Sequence, residues 1–291
     1  MTQTEAQEQA ALPKNYDRIA IGSQQHKELF CAVLLDAFDP YRPAVIDWPD
    51  LAPEVRARLA GLPFWDVALE TEENAGTRMQ ALADATADPL IRQALALNAF
   101  EERRHKEVLG HMMRFYGIPV GGNIRAQPLR DAQWAFLRTG YGECFDSFFA
   151  FGLFEMARRT GFFPSTLIGV FEPVIQEEAR HNLFFVNWVA YSKAALGWPR
   201  RWGFAARCLA ALAVQIARRL SIAQSVDGDN FTRKGGAALG IDLDARRFLA
   251  LCLAENDRRL APYDPRLLRP RIMPAVARLA MALLPRAGAP R

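Results

Sequence analysis

The chain has 291 residues, 51% of them apolar, with a formal net charge of +4. That composition suits a soluble globular protein with one large helical domain or a bundle with additions, and the modest positive balance does not require a nucleic acid. Its four cysteines, Cys31, Cys144, Cys208 and Cys252, are far apart and form no Cys-x-x-Cys pair, which excludes a rubredoxin-type iron centre on this chain and suits a reducing compartment.

In chain order, residues 1–14 are polar and acidic with no apolar run behind a basic start. No signal peptide is read there, residues 1–11 read as a disordered tail, and a cytoplasmic location is expected. A helix is expected over 17–38, broken by Asp39-Pro40-Tyr41-Arg42-Pro43, and a short helix over 52–60. Four long helices then follow as two hairpins. The first turn lies at 84–89, where Asp88 suits an N-cap and Pro89 the first helical position; the second lies at 160–165, with Gly161 as a stop and Ser165 as a cap. Pro173 is expected to kink the fourth helix. Beyond Tyr191 the chain turns basic, with an apolar helix over 204–222, a polar turn over 227–236, a helix over 244–260 and an amphipathic helix over 272–284. Three fates are open to that last helix: an anionic membrane, a partner, or the bundle itself. The organisation expected is all-α, with 1–57 packing on the bundle, 58–195 forming it, and 196–291 as a basic helical extension.

Chemistry concentrates inside the hairpins. Glu102 and His105 stand three residues apart with helical apolar spacing around them, and Glu178 and His181 repeat the phrase, so that each pair shares a helix face. This is metal-ligand spacing, and these pairs use two of the chain's four histidines. Counting outward from each turn brings Glu72 level with Glu102 and Glu143 close to level with Glu178. Glu72 shares its stripe with Trp65, Leu69, Met79 and Leu82, whereas Glu70 and Glu73 fall on the other face. Asp146, one turn from Glu143, is expected to replace it or to support a ligand. Four carboxylates in an apolar core repel one another and are costly to bury, and two divalent cations would cancel them. Oxygen-rich ligation with one imidazole per metal suits iron or manganese. His26 and His111 lack a carboxylate at ligand spacing or lie off the metal face, and both read as non-ligands.

Ten of the nineteen phenylalanines fall between Phe145 and Phe185, while Thr139, Gly140, Ser147 and Ala150 form a strip of small side chains on the Glu143 face. Together with Phe171 and Phe185 these residues suit either an apolar substrate pocket beside the metals or a tightly packed core.

Over residues 60–192 these motifs resemble the ferritin-like di-metal carboxylate proteins, whose antiparallel four-helix bundle supplies one Glu from each of two helices and Glu-x-x-His from each of the other two. The phrases Glu101-Glu102-Arg103-Arg104-His105 and Glu177-Glu178-Ala179-Arg180-His181 are similar to those of acyl-carrier desaturases and arylamine oxygenases. The resemblance implies metal ligands Glu72, Glu102, His105, Glu143, Glu178 and His181, with Glu102 and Glu178 bridging. It also implies that Glu101 and Glu177 each orient the histidine of the opposite hairpin; the competing reading makes them surface charges paired with Arg104 and Arg180. The activity implied is that of a di-iron oxygenase or oxidase, a monooxygenase for example. It would use dioxygen and an external electron donor, such as a reductase or ferredoxin, to hydroxylate, desaturate or N-oxidise a small apolar or aromatic substrate. A ferroxidase or peroxide-scavenging protein of the rubrerythrin and ferritin type, or a tRNA-modifying hydroxylase, is the alternative. The sequence is compatible with a homodimer and fixes no oligomeric state.

Overall fold

The structure, a computed structural model, describes residues 19–121, 129–224 and 244–284, without the side chains of 221–224. Among these residues the fold is all-α, as expected, with no strand. The helices are α1 (Gln24–Leu35), α2 (Pro53–Ala60), α3 (Trp65–Ala85), α4 (Pro89–Tyr116), α5 (Ala132–Thr160), α6 (Ser165–Ala195), α7 (Arg200–Gln224), α8 (Ala245–Leu260) and α9 (Ile272–Leu283), with a 3-10 turn at Pro43–Val45. The expected tail at 1–11 and turn at 227–236 lie outside the described residues.

Local chemistry accounts for the helix ends. Asp88 caps α4 by accepting hydrogen bonds from the amides of Leu90 and Ile91, and Pro89 opens the helix where no donor is needed. Asp131 and Asp244 cap α5 and α8 in the same way. Gly161 ends α5 in the left-handed region at φ +64, which a side chain would resist. The expected Ser165 cap is not formed: Pro164 takes the cap position and makes no side-chain bond, and Ser165 is the first residue of α6. The N-terminal helix is shorter than its apolar pattern suggested, because Ser23 caps it by accepting from the His26 amide.

Helix α3 runs back along α4, and α5 along α6; α3 also packs on α5, and α4 on α6, so the four enclose one interior. Helix α1 lies against α4 and α6, while α7 and α8 cover α5 and α6, and α9 rests on α8 and α5. One apolar cluster joins Leu34, Leu82, Leu95, Phe136 and Phe184; another joins Leu69, Met112, Trp48, Tyr116 and Leu167. Each such buried side chain contributes about 2 kcal/mol. Along α3, α4 and α6 the polar residues of the bundle fall between positions that feed these two clusters, so a polar layer is held by apolar packing at both ends.

Candidate metal centre

Four helices contribute to that layer: Glu72 from α3, Glu102 and His105 from α4, Glu143 from α5, and Glu178 and His181 from α6. Nδ1 of His105 lies 3.2 Å from Glu178 Oε1 and 3.5 Å from Glu72 Oε2. Nδ1 of His181 lies 2.8 Å from Glu102 Oε1. The two imidazole centroids are 5.6 Å apart. Ligand atoms of Glu72, Glu102, His105 and Glu178 all fall within 4.8 Å of one another, and the charge of Glu143 acts on Glu102, Glu178, His181 and Glu72. Ser147 donates to Glu178 Oε2 at 3.3 Å.

Behind this ring lies a second one. Nε2 of His105 bonds Glu177 Oε2 at 2.7 Å, and Nε2 of His181 bonds Glu101 Oε2 at 2.8 Å. Glu101 and Glu177 are 0% and 1% exposed, so they are not surface charges. Their arginine partners also cross between hairpins. Arg104 is 2.7 Å from Glu177 but 3.7 Å from Glu101 on its own helix, and Arg180 is 2.8 Å from Glu101 but 3.5 Å from Glu177. Each outer carboxylate is therefore neutralised by an arginine, leaving the charge of the four inner carboxylates uncompensated.

The outer bonds decide which ring nitrogen faces inward. A neutral imidazole that donates from Nε2 presents a lone pair at Nδ1. For His105 and His181 that lone pair then faces carboxylate oxygens at 3.2 and 2.8 Å, acceptor against acceptor. Five buried polar atoms here have no hydrogen-bond partner: Glu102 Oε1, His105 Nδ1, His181 Nδ1 and both oxygens of Glu143. Positive charge must lie among them. In the metal-free protein protons supply part of it. Burial opposes charge on His105, but the carboxylates of Glu177, Glu178 and Glu72 outweigh it and raise the imidazole well above its ordinary value. His181 is raised likewise by Glu102 and Glu101 against its burial. Burial pushes Glu72 up to about 8, against the pull of the His105 imidazole 3.5 Å away, with Glu102 and Glu178 adding to the rise. Burial, then the charges of Glu102 and Glu178, hold Glu143 well above the carboxylate range. Burial would raise Glu178 too, but His105 and His181 bring it below its ordinary value.

Protons do not give Glu143 a partner, whereas cations would. Donors about 2.1 Å from an ion and at right angles to one another stand about 3 Å apart, the spacing found between His105 and Glu178 and between His181 and Glu102. Four carboxylates match two divalent ions in charge, and the ligand atoms of Glu72, Glu102, His105 and Glu178 lie close enough together to share one.

Asp146 is exposed and pairs with Arg219 of α7. Gly140 and Phe185 fill each other's space: a Cβ on Gly140 would stand 2.1 Å from the Phe185 ring. Thr139 accepts from Arg78, and Phe171 packs against Trp48 in the second apolar cluster. Ala150 is half-buried, as is His111. His26 is buried against Asn187, away from the site. Of the residues read as a pocket, Ser147 alone hydrogen-bonds one of the six candidate ligands, while Gly140, Phe171 and Phe185 pack against other side chains.

Two tyrosines escaped the sequence reading. Tyr41 donates to Glu177 Oε2 at 3.2 Å and lies under the Arg104 guanidinium, 3.9 Å from ring centroid to Cζ. Tyr263 accepts from Gln176 at 2.8 Å, and the charges of Arg180 and Glu101 act on it. Both sit in loops, where no helical periodicity marks them.

Compared with known proteins, the chain matches no protein-family model, no curated protein and no solved structure.

Proposed function

We propose that the chain is an oxidoreductase of the ferritin-like di-metal carboxylate type. Glu72, Glu102, His105, Glu143, Glu178 and His181 would hold two iron ions, with manganese as the alternative metal. The observation that carries this reading is the set of unpartnered buried donor atoms on α4, α5 and α6, facing one interior together with Glu72 from α3. A bound redox-active pair supplies electrons and an open position for dioxygen, which suits oxidation of an apolar or aromatic compound with an external electron donor.

The chain's own residues supply the setting. Glu177 and Glu101 hold the Nε2 protons of His105 and His181, so that both Nδ1 lone pairs face inward. Arg104 pairs with Glu177 at 2.7 Å and Arg180 with Glu101 at 2.8 Å, so these two carboxylates have their own counter-charges outside the inner ring. Ser147 orients Glu178. The clusters at either end, with Leu69 and Met112 on one side and Leu95 and Phe184 on the other, limit water at the centre.

The test is elemental analysis and oxygen consumption after anaerobic loading with ferrous iron. Two ions per chain and oxygen uptake are expected, both lost in Glu102→Ala. Fewer than two ions in the wild type, or full loading of the variant, would overturn the reading.

A further inference from the structure

Most of the large apolar side chains that remain exposed among the described residues lie on two helices, α7 and α9. At the start of α7, Trp198 and Trp202 are 80% and 65% exposed, and Leu209, Ile216 and Leu220 continue the face. Positions 202, 209 and 216 are seven apart and so line one stripe. On α9 the exposed residues are Ile272, Val276, Leu279 and Leu283, again at helical spacing. Both helices lean on α5 through one cluster that holds Leu212 from α7 and Met273 and Ala277 from α9.

The two segments that carry these stripes hold charge of one sign. Residues 198–224 and 265–284 include no Asp or Glu but contain nine arginines. Arg207 and Arg219 are tied to Asp131 and Asp146, while Arg200, Arg201, Arg271 and Arg278 form no ion pair among the described residues. At the start of α9, Arg269, Arg271 and Arg278 line a cleft of about 440 Å³ with Asn256, Asp257 and Pro274. Arg269 donates through Nη2 to the carbonyls of Tyr263 and Asp264, and its buried Nη1 has no partner.

We propose that α7 and α9 form a docking face for an anionic phospholipid membrane. The cleft takes a phosphate headgroup through Arg269, while the tryptophans and the two apolar stripes enter the boundary between headgroups and acyl chains. A second copy of the chain fits this face poorly, because a two-fold pairing would set arginine against arginine. The contact is peripheral, since no helix among the described residues is long and apolar enough to cross a membrane.

The test is sedimentation of the full chain with vesicles of phosphatidylcholine alone, or of phosphatidylcholine mixed with phosphatidylglycerol. Binding only to the mixed vesicles is expected, weakened by salt, with a blue shift of tryptophan emission that Trp198→Phe with Trp202→Phe removes. Arg269→Gln and Arg278→Gln should each weaken binding about fivefold, the equivalent of about 1 kcal/mol per charge. Leu279→Ser with Leu283→Ser should weaken it further while leaving the circular dichroism unchanged. Equal binding to both vesicle types, or none to either, overturns the proposal. So does a dimer in solution that Leu209→Ser with Leu220→Ser dissociates, since a second copy would then cover the face.

Discussion

Nε2 of His105 and the carboxylate of Glu177, 72 residues apart in the chain, lie 2.7 Å apart across the two hairpins. With its counterpart between His181 and Glu101, this bond ties each candidate ligand to the helix that carries the other. Any movement of one hairpin against the other therefore turns an imidazole out of line.

The first prediction concerns that bond. Glu177→Gln removes the charge that faces Arg104, which is 3% exposed, and leaves a buried cation without its partner, at a cost of about 3 kcal/mol. It should also weaken metal binding roughly 10- to 100-fold, because the imidazole loses its orienting carboxylate. Adding Arg104→Met should restore much of the stability and none of the affinity. Chemical denaturation and metal titration of the two variants separate these effects; recovery of both together would show that Glu177 acts only in folding.

A second prediction follows from Glu143, whose two oxygens are buried without a partner. In metal-free protein Glu143→Gln removes a carboxylate that faces Glu102, Glu178 and Glu72, so it should stabilise the fold by about 1–3 kcal/mol. In iron-loaded protein the order should reverse, because the wild type gains binding free energy that the variant lacks. Melting temperatures with and without iron check both halves, and a variant that is less stable than the wild type in chelator would count against the metal.

Much of this arrangement was legible before any coordinates. Glu102 with His105 and Glu178 with His181 are local features, because a separation of three on a helix fixes a shared face whatever surrounds it. Glu72 was separable from Glu70 and Glu73 by its apolar stripe, and Glu73 pairs with Lys106 of α4. What spacing could not decide was partner choice. Arg104 stands three after Glu101 and Arg180 three after Glu177, so an intrahelical pair and a crossed pair have the same signature, and only packing distinguishes them. The strip at Thr139, Gly140 and Ser147 was ambiguous in the same way: small residues leave room, and nothing local says whether a ligand or Phe185 takes it. Tyr41 reaches Glu177 from a loop between two prolines, where there is no period to read.

Gly140 gives a third prediction. A Cβ there would stand 2.1 to 2.5 Å from three atoms of the Phe185 ring, a ring also held by Phe136 and Tyr141. Gly140→Ala should therefore destabilise the protein by about 1–3 kcal/mol or more through overpacking, despite the better helix propensity of alanine. Phe185→Leu in the same chain should recover part of the loss. A double-mutant cycle by denaturant unfolding measures the coupling, and strictly additive effects would mean that the ring is not where the contact is felt.

The last prediction is a pH dependence set outside the candidate metal centre. His26 is buried; its Nδ1 accepts from the Gly22 amide at 3.3 Å, and its Nε2 faces Asn187 Oδ1 at 3.0 Å. Asn187 Oδ1 also accepts from the Leu268 amide, so this group links α1 and α6 to the chain before α9. Burial lowers the His26 pKa below 6.5, only partly opposed by the Asn187 bond, and protonation of Nδ1 would set two donors against each other. The unfolded chain therefore binds this proton more readily than the native one, and stability rises with pH in the window where they differ. The contribution is complete above about pH 6.5, the unfolded value, and is lost as the pH falls toward the lower native value. His26→Gln removes that titration. The difference in unfolding free energy between wild type and variant, measured by denaturant titration at pH 7.5 and again at pH 5.5, should shift in favour of the variant at the lower pH. A difference that does not change with pH would mean that His26 takes up its proton as easily inside the fold as outside it.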